Sequence, residues 1–95
     1  MKKYELIASA KISIVDSYEN GVLLMFKVGN GFSALCVQGR EVSPLFHGPT
    51  ERQPYDASRE WFSERQDGFL DVETLDLQDD KVQRALRKAQ SRLEE

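Results

Sequence analysis

The apolar residues of this chain concentrate in one stretch, Val22–Gly39, where hydrophobic side chains occupy both alternating sets of positions. Asn30-Gly31 lies at its centre. An Asn-Gly pair between two apolar runs favours a two-residue hairpin turn, because both turn positions need positive φ. Side chains alternate between the two faces of a strand. The two predicted faces of this hairpin are Val22, Leu24, Phe26, Val28, Leu35 and Val37 on one side, and Leu23, Met25, Phe32, Ala34 and Cys36 on the other.

Both faces of the predicted hairpin are therefore apolar, which is unusual for an antiparallel sheet with one solvated side. We expect the first face to form the core. The second face needs a cover of its own, and a helix, the long following loop or a second copy of the chain would each provide one.

The flanking pattern predicts the remaining elements. Strict alternation over Tyr4–Val15 predicts a first strand that places Ile12 and Ile14 on the first hairpin face, with a bend or bulge near Ala8–Ala10. Residues 39–56 contain all three prolines, which predicts a long loop. Within it, Arg40–Leu45 could extend the sheet by a few residues.

Two helices and one more strand complete the prediction. Asp56–Gln66 reads as a short helix that Asp67-Gly68 ends, and Gly68–Leu77 reads as a strand. The last helix begins at Asp79 or Asp80, with Asp80 and Gln83 as a capping box, and runs to about Leu93. The predicted fold is one α+β domain over residues 1–95. It is an antiparallel β-meander of four to five strands in the order β-β-β-loop-α-β-α, with two helices packed on one face.

The amino-acid composition limits the compartment and the class of protein more than it limits the function. The net charge is −3, but residues 51–80 hold three basic and ten acidic residues, whereas residues 81–95 hold five and two. The single Cys36 excludes an internal disulfide and suits a reducing, cytoplasmic compartment. Lys2-Lys3 and Ala8-Ser9-Ala10 imitate a secretory signal without its apolar region of roughly seven or more residues. The longest apolar run, Val22–Phe26, is far below the ~20 residues of a membrane span.

No pattern indicates an enzyme, so we expect no catalytic residue, metal ligand or cofactor. His47 has no Cys or His near it in the sequence, and Cys36 lies among apolar strand residues. The acidic residues of the last strand and helix start lack the spacing of a calcium loop and read as a solvated face followed by a helix cap. These acidic residues are Asp71, Glu73, Asp76, Asp79 and Asp80.

The leading functional hypothesis is a non-enzymatic module that binds another protein or a second copy of itself, because aromatic and arginine residues are typical of interface hot spots. The candidates are Phe46, Tyr55, Trp61, Arg40, Arg52, Leu23, Met25 and Phe32. The alternative interpretation of Phe46, Tyr55 and Trp61 is that they cover the second hairpin face.

Two other hypotheses stay open. A small-ligand pocket between sheet and helices would be lined by Met25, Phe32, Cys36, Phe46 and Trp61. Nucleic-acid binding through the last helix is the weaker one, since no aromatic stacking residues accompany its basic stripe. That stripe consists of Lys81, Arg84, Arg87, Lys88 and Arg92.

Overall fold

The computed structural model describes residues 3–15, 20–64 and 70–94, in which six strands and two helices occur. The strands are β1 (Glu5–Ile14), β2 (Asn20–Val28), β3 (Gly31–Gln38), β4 (Glu41–Val42), β5 (Phe46–Gly48) and β6 (Leu70–Leu75), and the helices are α1 (Arg52–Glu64) and α2 (Asp80–Leu93). All strand pairs are antiparallel, in the order β4-β3-β2-β1-β6, and β5 also pairs with β3. The predicted α+β class and antiparallel sheet are confirmed, and the proline-containing loop adds two short strands.

The central hairpin turns at Gly29-Asn30, with Val28 opposite Gly31. Gly29 has a φ of 56°, which this kind of loop requires. The predicted loop, Asn30-Gly31, is therefore wrong by one residue. Both dipeptides suit such a turn, and the observed one leaves Gly31 in β3, where β5 passes close by. The change moves the pairing register by two residues, so every side chain keeps its predicted face.

Each face of the sheet has a helix of its own, and the prediction of two helices on one face is wrong. We call the face that meets α2 the α2 face; its buried cluster is Leu24, Phe26, Leu35, Val37 and Leu75 with Val82, Ala85 and Ala89. We call the opposite face, which meets α1, the α1 face; its buried cluster is Ile12, Ile14, Leu23, Met25, Ala34 and Cys36 with Phe62. One helix per face is the arrangement that excludes water from both apolar sides of the hairpin.

An irregularity in β1 sends its apolar residues to both faces. The pairing of β1 with β2 shifts between Leu6 and Ala8, close to the predicted position of a bulge. Before the shift, Leu6 packs against the α2-face cluster, whereas Ile12 and Ile14 belong to the α1-face cluster after it. The prediction that these isoleucines share a face with Leu24 is wrong, because one inserted residue exchanges the faces of everything that follows.

The free edge of β3 is closed by a side chain rather than by a continuous strand. Between β4 and β5, Ser43 donates its backbone N–H to the Cys36 carbonyl at 2.9 Å. The Ser43 hydroxyl accepts the Cys36 N–H at 2.8 Å and donates to the Pro44 carbonyl at 2.9 Å. Pro44 interrupts the strand because proline offers no N–H to a ladder.

α1 begins earlier than predicted, whereas α2 spans Asp80–Leu93, within the predicted bounds. α1 starts at Arg52, one turn earlier than expected, because Pro54 is tolerated in a first helical turn. The residues predicted to end it, Asp67 and Gly68, lie outside the described part of the chain. The N-cap of α2 is Asp79, whose carboxylate accepts the Lys81 N–H at 2.8 Å, so the predicted capping box from Asp80 is wrong. Neither helix in the described ranges has the length and apolarity to cross a bilayer.

Candidate functional site

A groove of about 540 Å³ opens on the α1 face between α1, β1 and β6. We call it the alanine groove. It is lined by Ala8, Ser9, Ala10, Leu23, Met25, Glu51, Arg52, Tyr55, Asp56, Arg59, Val72 and Thr74. Its floor comes from the centre of the sheet, its far wall from β6, and its polar rim from the first two turns of α1.

The local sequence explains why the face is open here. α1 packs over β2, β3 and β5, so the β1–β6 half of the face has less cover. At the Ala8–Ala10 end of that half the residues that face α1 are small: Ala10 pairs with Thr74 across the strands. Ala8, beyond the bulge, is exposed. Where a leucine would fill the space beneath the helix, a methyl group leaves a concave floor.

The charged side chains along the groove differ in whether they have an interaction partner. Arg52 forms an ion pair with Asp56 one helical turn away, at 3.6 Å, and both side chains are largely exposed. Arg59 lies over the Tyr55 ring, 5.5 Å from its centroid. The Arg59 Nε is buried and has no hydrogen-bond partner among the described residues. A buried donor without an acceptor costs free energy, and the Arg59 Nε is such a donor beside the groove.

Most of the predicted partner-binding residues lie beneath or beside α1 rather than on an open surface. Leu23 and Met25 are 1% and 3% exposed, and Phe32, Tyr55 and Trp61 pack half-buried against the same cluster. Tyr55 and Trp61 thus pack on the second hairpin face, as the alternative interpretation expects of them.

The remaining residues of these predicted sets lie apart from one another. Phe46, half-buried, pairs with Ala34 at the sheet edge. Arg40 is exposed in the turn between β3 and β4, and Arg52 reaches the alanine groove. Of the five residues predicted to line a ligand pocket, Met25 lines this groove and Cys36 is fully buried.

A second and larger opening, of about 1260 Å³, lies on the α2 face beside the C-terminal half of α2. Its apolar lining is half-buried apart from Phe26. The apolar residues are Tyr4, Leu6, Phe26, Leu45, Leu86 and Leu93. The sequence does not indicate this opening, because an apolar helical stripe predicts packing on the sheet without showing where that packing ends.

The basic stripe of α2 is partly engaged within the fold. The Lys88 ammonium donates to the Gly39 carbonyl at 2.9 Å, and the Arg92 guanidinium donates to the Val42 carbonyl at 3.1 Å. Lys81, Arg84 and Arg87 are exposed. Two of the five cations therefore tie the helix to β4 and its turn, and nucleic-acid binding by the stripe stays a prediction.

His47 and Cys36 are the side chains with the most reactive chemistry. His47 Nδ1 lies 2.6 Å from the Ser33 hydroxyl, but Ser33 is 1% exposed and out of reach of a substrate. Burial raises the pKa of the Cys36 thiol from its ordinary 9.0 to about 12, so the thiol is protonated at neutral pH. Within the described ranges, no three His, Cys, Asp or Glu residues cluster in a way that would hold a metal ion.

Comparison of the chain with protein-family models, with curated proteins and with solved structures gave no match.

Proposed function

We propose that this protein is a non-enzymatic binding module that holds a small amphipathic molecule in the alanine groove. The observation that carries the proposal is the groove itself, an apolar floor beneath a polar helix rim. Its volume of about 540 Å³ lies within the range of about 300–1,000 Å³ that is typical of small-molecule sites, which likewise combine an apolar lining with a few polar groups.

The arrangement of the rest of the face supports a small ligand over a protein partner at this site. Leu23 and Met25, which the sequence suggests as interface residues, are buried under α1. The part of the floor that stays open centres on Ala8, since Ser9 and Ala10 are buried, and it is far smaller than the ~800 Å² that each partner buries in a standard protein interface.

A filled-groove variant tests the proposal. Ala8→Leu puts a larger side chain on the exposed part of the floor, and Ser13→Leu makes an equally apolar change on the same strand but outside the groove. A panel of small amphipathic fragments is titrated into the labelled protein, and the amide shifts are followed by NMR. We expect shifts at Ala8, Ala10 and Thr74 that Ala8→Leu removes and Ser13→Leu keeps. Equal binding by both variants would refute the site.

Protein recognition is the second candidate, and the opening on the α2 face favours it. Tyr4, Leu6 and Leu93 leave half-buried apolar surface there, and contiguous apolar surface of this kind marks partner sites. Sedimentation velocity over a range of concentrations tests the version in which a second copy binds. Leu93→Glu should abolish any association at this surface, and a monomer at every concentration would contradict that version.

A further inference from the structure

We infer that the ligand of the alanine groove is a monocarboxylate with an apolar body, and that Arg59 binds its carboxylate. This inference rests on the proposed function. It adds the chemical class of the ligand and names the residue that selects it.

Arg59 is a cation at the groove whose Nε has no hydrogen-bond partner among the described residues. Asp56, which lies three residues before Arg59 on the same helix, is paired with Arg52. No ion pair joins Arg59 to a carboxylate in the described part of the chain, and its Nε is buried without an acceptor. Its guanidinium lies over the Tyr55 ring, a cation–π contact that supplies no lone-pair acceptor for the N–H donors.

The geometry of a guanidinium selects the acceptor. Its N–H donors form a planar fork that matches the two oxygens of a carboxylate, and such bidentate pairs are among the stronger hydrogen bonds in proteins. A phosphate monoester offers the same oxygens with more negative charge. Glu51 and Asp56 also line the groove, and their negative charges disfavour a dianion. The rim therefore favours a single negative charge.

The floor selects the rest of the molecule. Ala8 and Val72 offer apolar surface in reach of the rim, and the buried Ala10 and Met25 lie beneath it. A ligand with one charged end and an apolar body satisfies the Arg59 donor and covers this surface at the same time. A purely polar acid would leave the floor in contact with water.

Four probes that share one eight-carbon chain separate these contributions: octanoate, 1-octanol, octylammonium and octyl phosphate. Each is titrated into the full chain, and the dissociation constant is taken from the amide shifts at Ala8, Ala10 and Thr74. Octanoate is expected to bind roughly 10-fold or more tightly than 1-octanol, as a charge-assisted hydrogen bond allows. Octylammonium is expected to bind the most weakly, and octyl phosphate more weakly than octanoate.

Arg59→Gln should bring the affinity for octanoate down to that for 1-octanol and leave the affinity for 1-octanol unchanged. Arg52→Gln is the matched control, since it removes a charge from the same rim and the same helix, and the preference for octanoate should survive it. Thermal melts show whether each variant is folded, and the wild-type comparison of the four probes stands without either variant.

The possible results separate this inference from the proposed function. Equal affinity of wild-type protein for octanoate and 1-octanol, with shifts confined to the groove, would overturn carboxylate recognition and leave the groove in place. Tighter binding of octyl phosphate than of octanoate would overturn the choice of a monoanion. An absence of groove shifts with all four probes would overturn both proposals.

Discussion

Replacing Ser43, the serine that closes the edge of β3, tests how the sheet ends at that edge. In Ser43→Ala the hydroxyl that accepts the buried Cys36 N–H at 2.8 Å disappears, and a methyl group takes its place. Ser43 is 0% exposed, so water cannot replace the lost acceptor without opening the edge. The Cys36 N–H is then a buried donor without a partner.

The expected cost follows from that orphaned donor. Leaving a buried N–H unsatisfied costs about 1–3 kcal/mol, whereas a lost hydrogen bond that strands no donor costs about 0.5–1.5 kcal/mol. Ser9→Ala provides the second case, because the Ser9 hydroxyl only donates, to the Leu23 carbonyl at 3.0 Å, and is equally buried. At about 4–8 °C per kcal/mol for a domain of this size, a loss of 2 kcal/mol in Ser43→Ala lowers Tm by about 8–16 °C.

Urea unfolding measures both variants, and amide hydrogen exchange reports on the edge directly. Ser43→Ala is expected to lose more stability than Ser9→Ala and to speed exchange at the Cys36 amide. Equal losses in the two variants, with the Cys36 amide still protected, would show that the Ser43 hydroxyl does not close the edge.

Three further changes test other parts of the fold. A Cβ at Gly21 would lie 2.9 Å from the Phe62 ring, so Gly21→Ala should cost about 1–3 kcal/mol of unfolding free energy in urea; a neutral effect would contradict the close packing of α1. Burial raises the pKa of Cys36 to about 12 from 9.0, so the folded state holds the thiol proton more tightly. Stability should therefore fall as pH rises from 9 towards 12, and Cys36→Ala should reduce that fall in pH-dependent urea melts. Asp79→Ala should lower the free energy of unfolding by about 1 kcal/mol, because it removes an N-cap. An equal loss in Asp80→Ala would contradict the assignment of Asp79 as the cap.

The hairpin and its two apolar faces could be predicted because they depend on the parity of sequence positions. Moving the turn from Asn30-Gly31 to Gly29-Asn30 changes each partner by two residues, and two residues restore the same face. The need for two covers could also be predicted, since the successive residues Leu23 and Leu24 lie on opposite faces and both belong to an unbroken apolar run.

The assignment of covers, and with it the groove, could not be predicted in the same way. The face that Ile12 occupies depends on one inserted residue near Ile7. The alternating pattern predicts a bend or bulge in this region but does not show whether a residue is inserted before Ile12. The helical pattern of α1 shows an apolar stripe but not the side of the sheet to which its connection leads. A small residue such as Ala8 is compatible both with the close approach of another element and with an open floor. Only the position of α1 over β3 decides between them.

The arrangement of one helix on each face can be measured directly by nuclear Overhauser contacts in a uniformly labelled sample. The Phe62 ring is expected to contact Leu23 and Met25 and none of the α2-face residues, while Val82 contacts Leu24 and Leu35. Contacts from Phe62 to Leu24 or Leu35 would place both helices on one side, and the alanine groove would not exist as described.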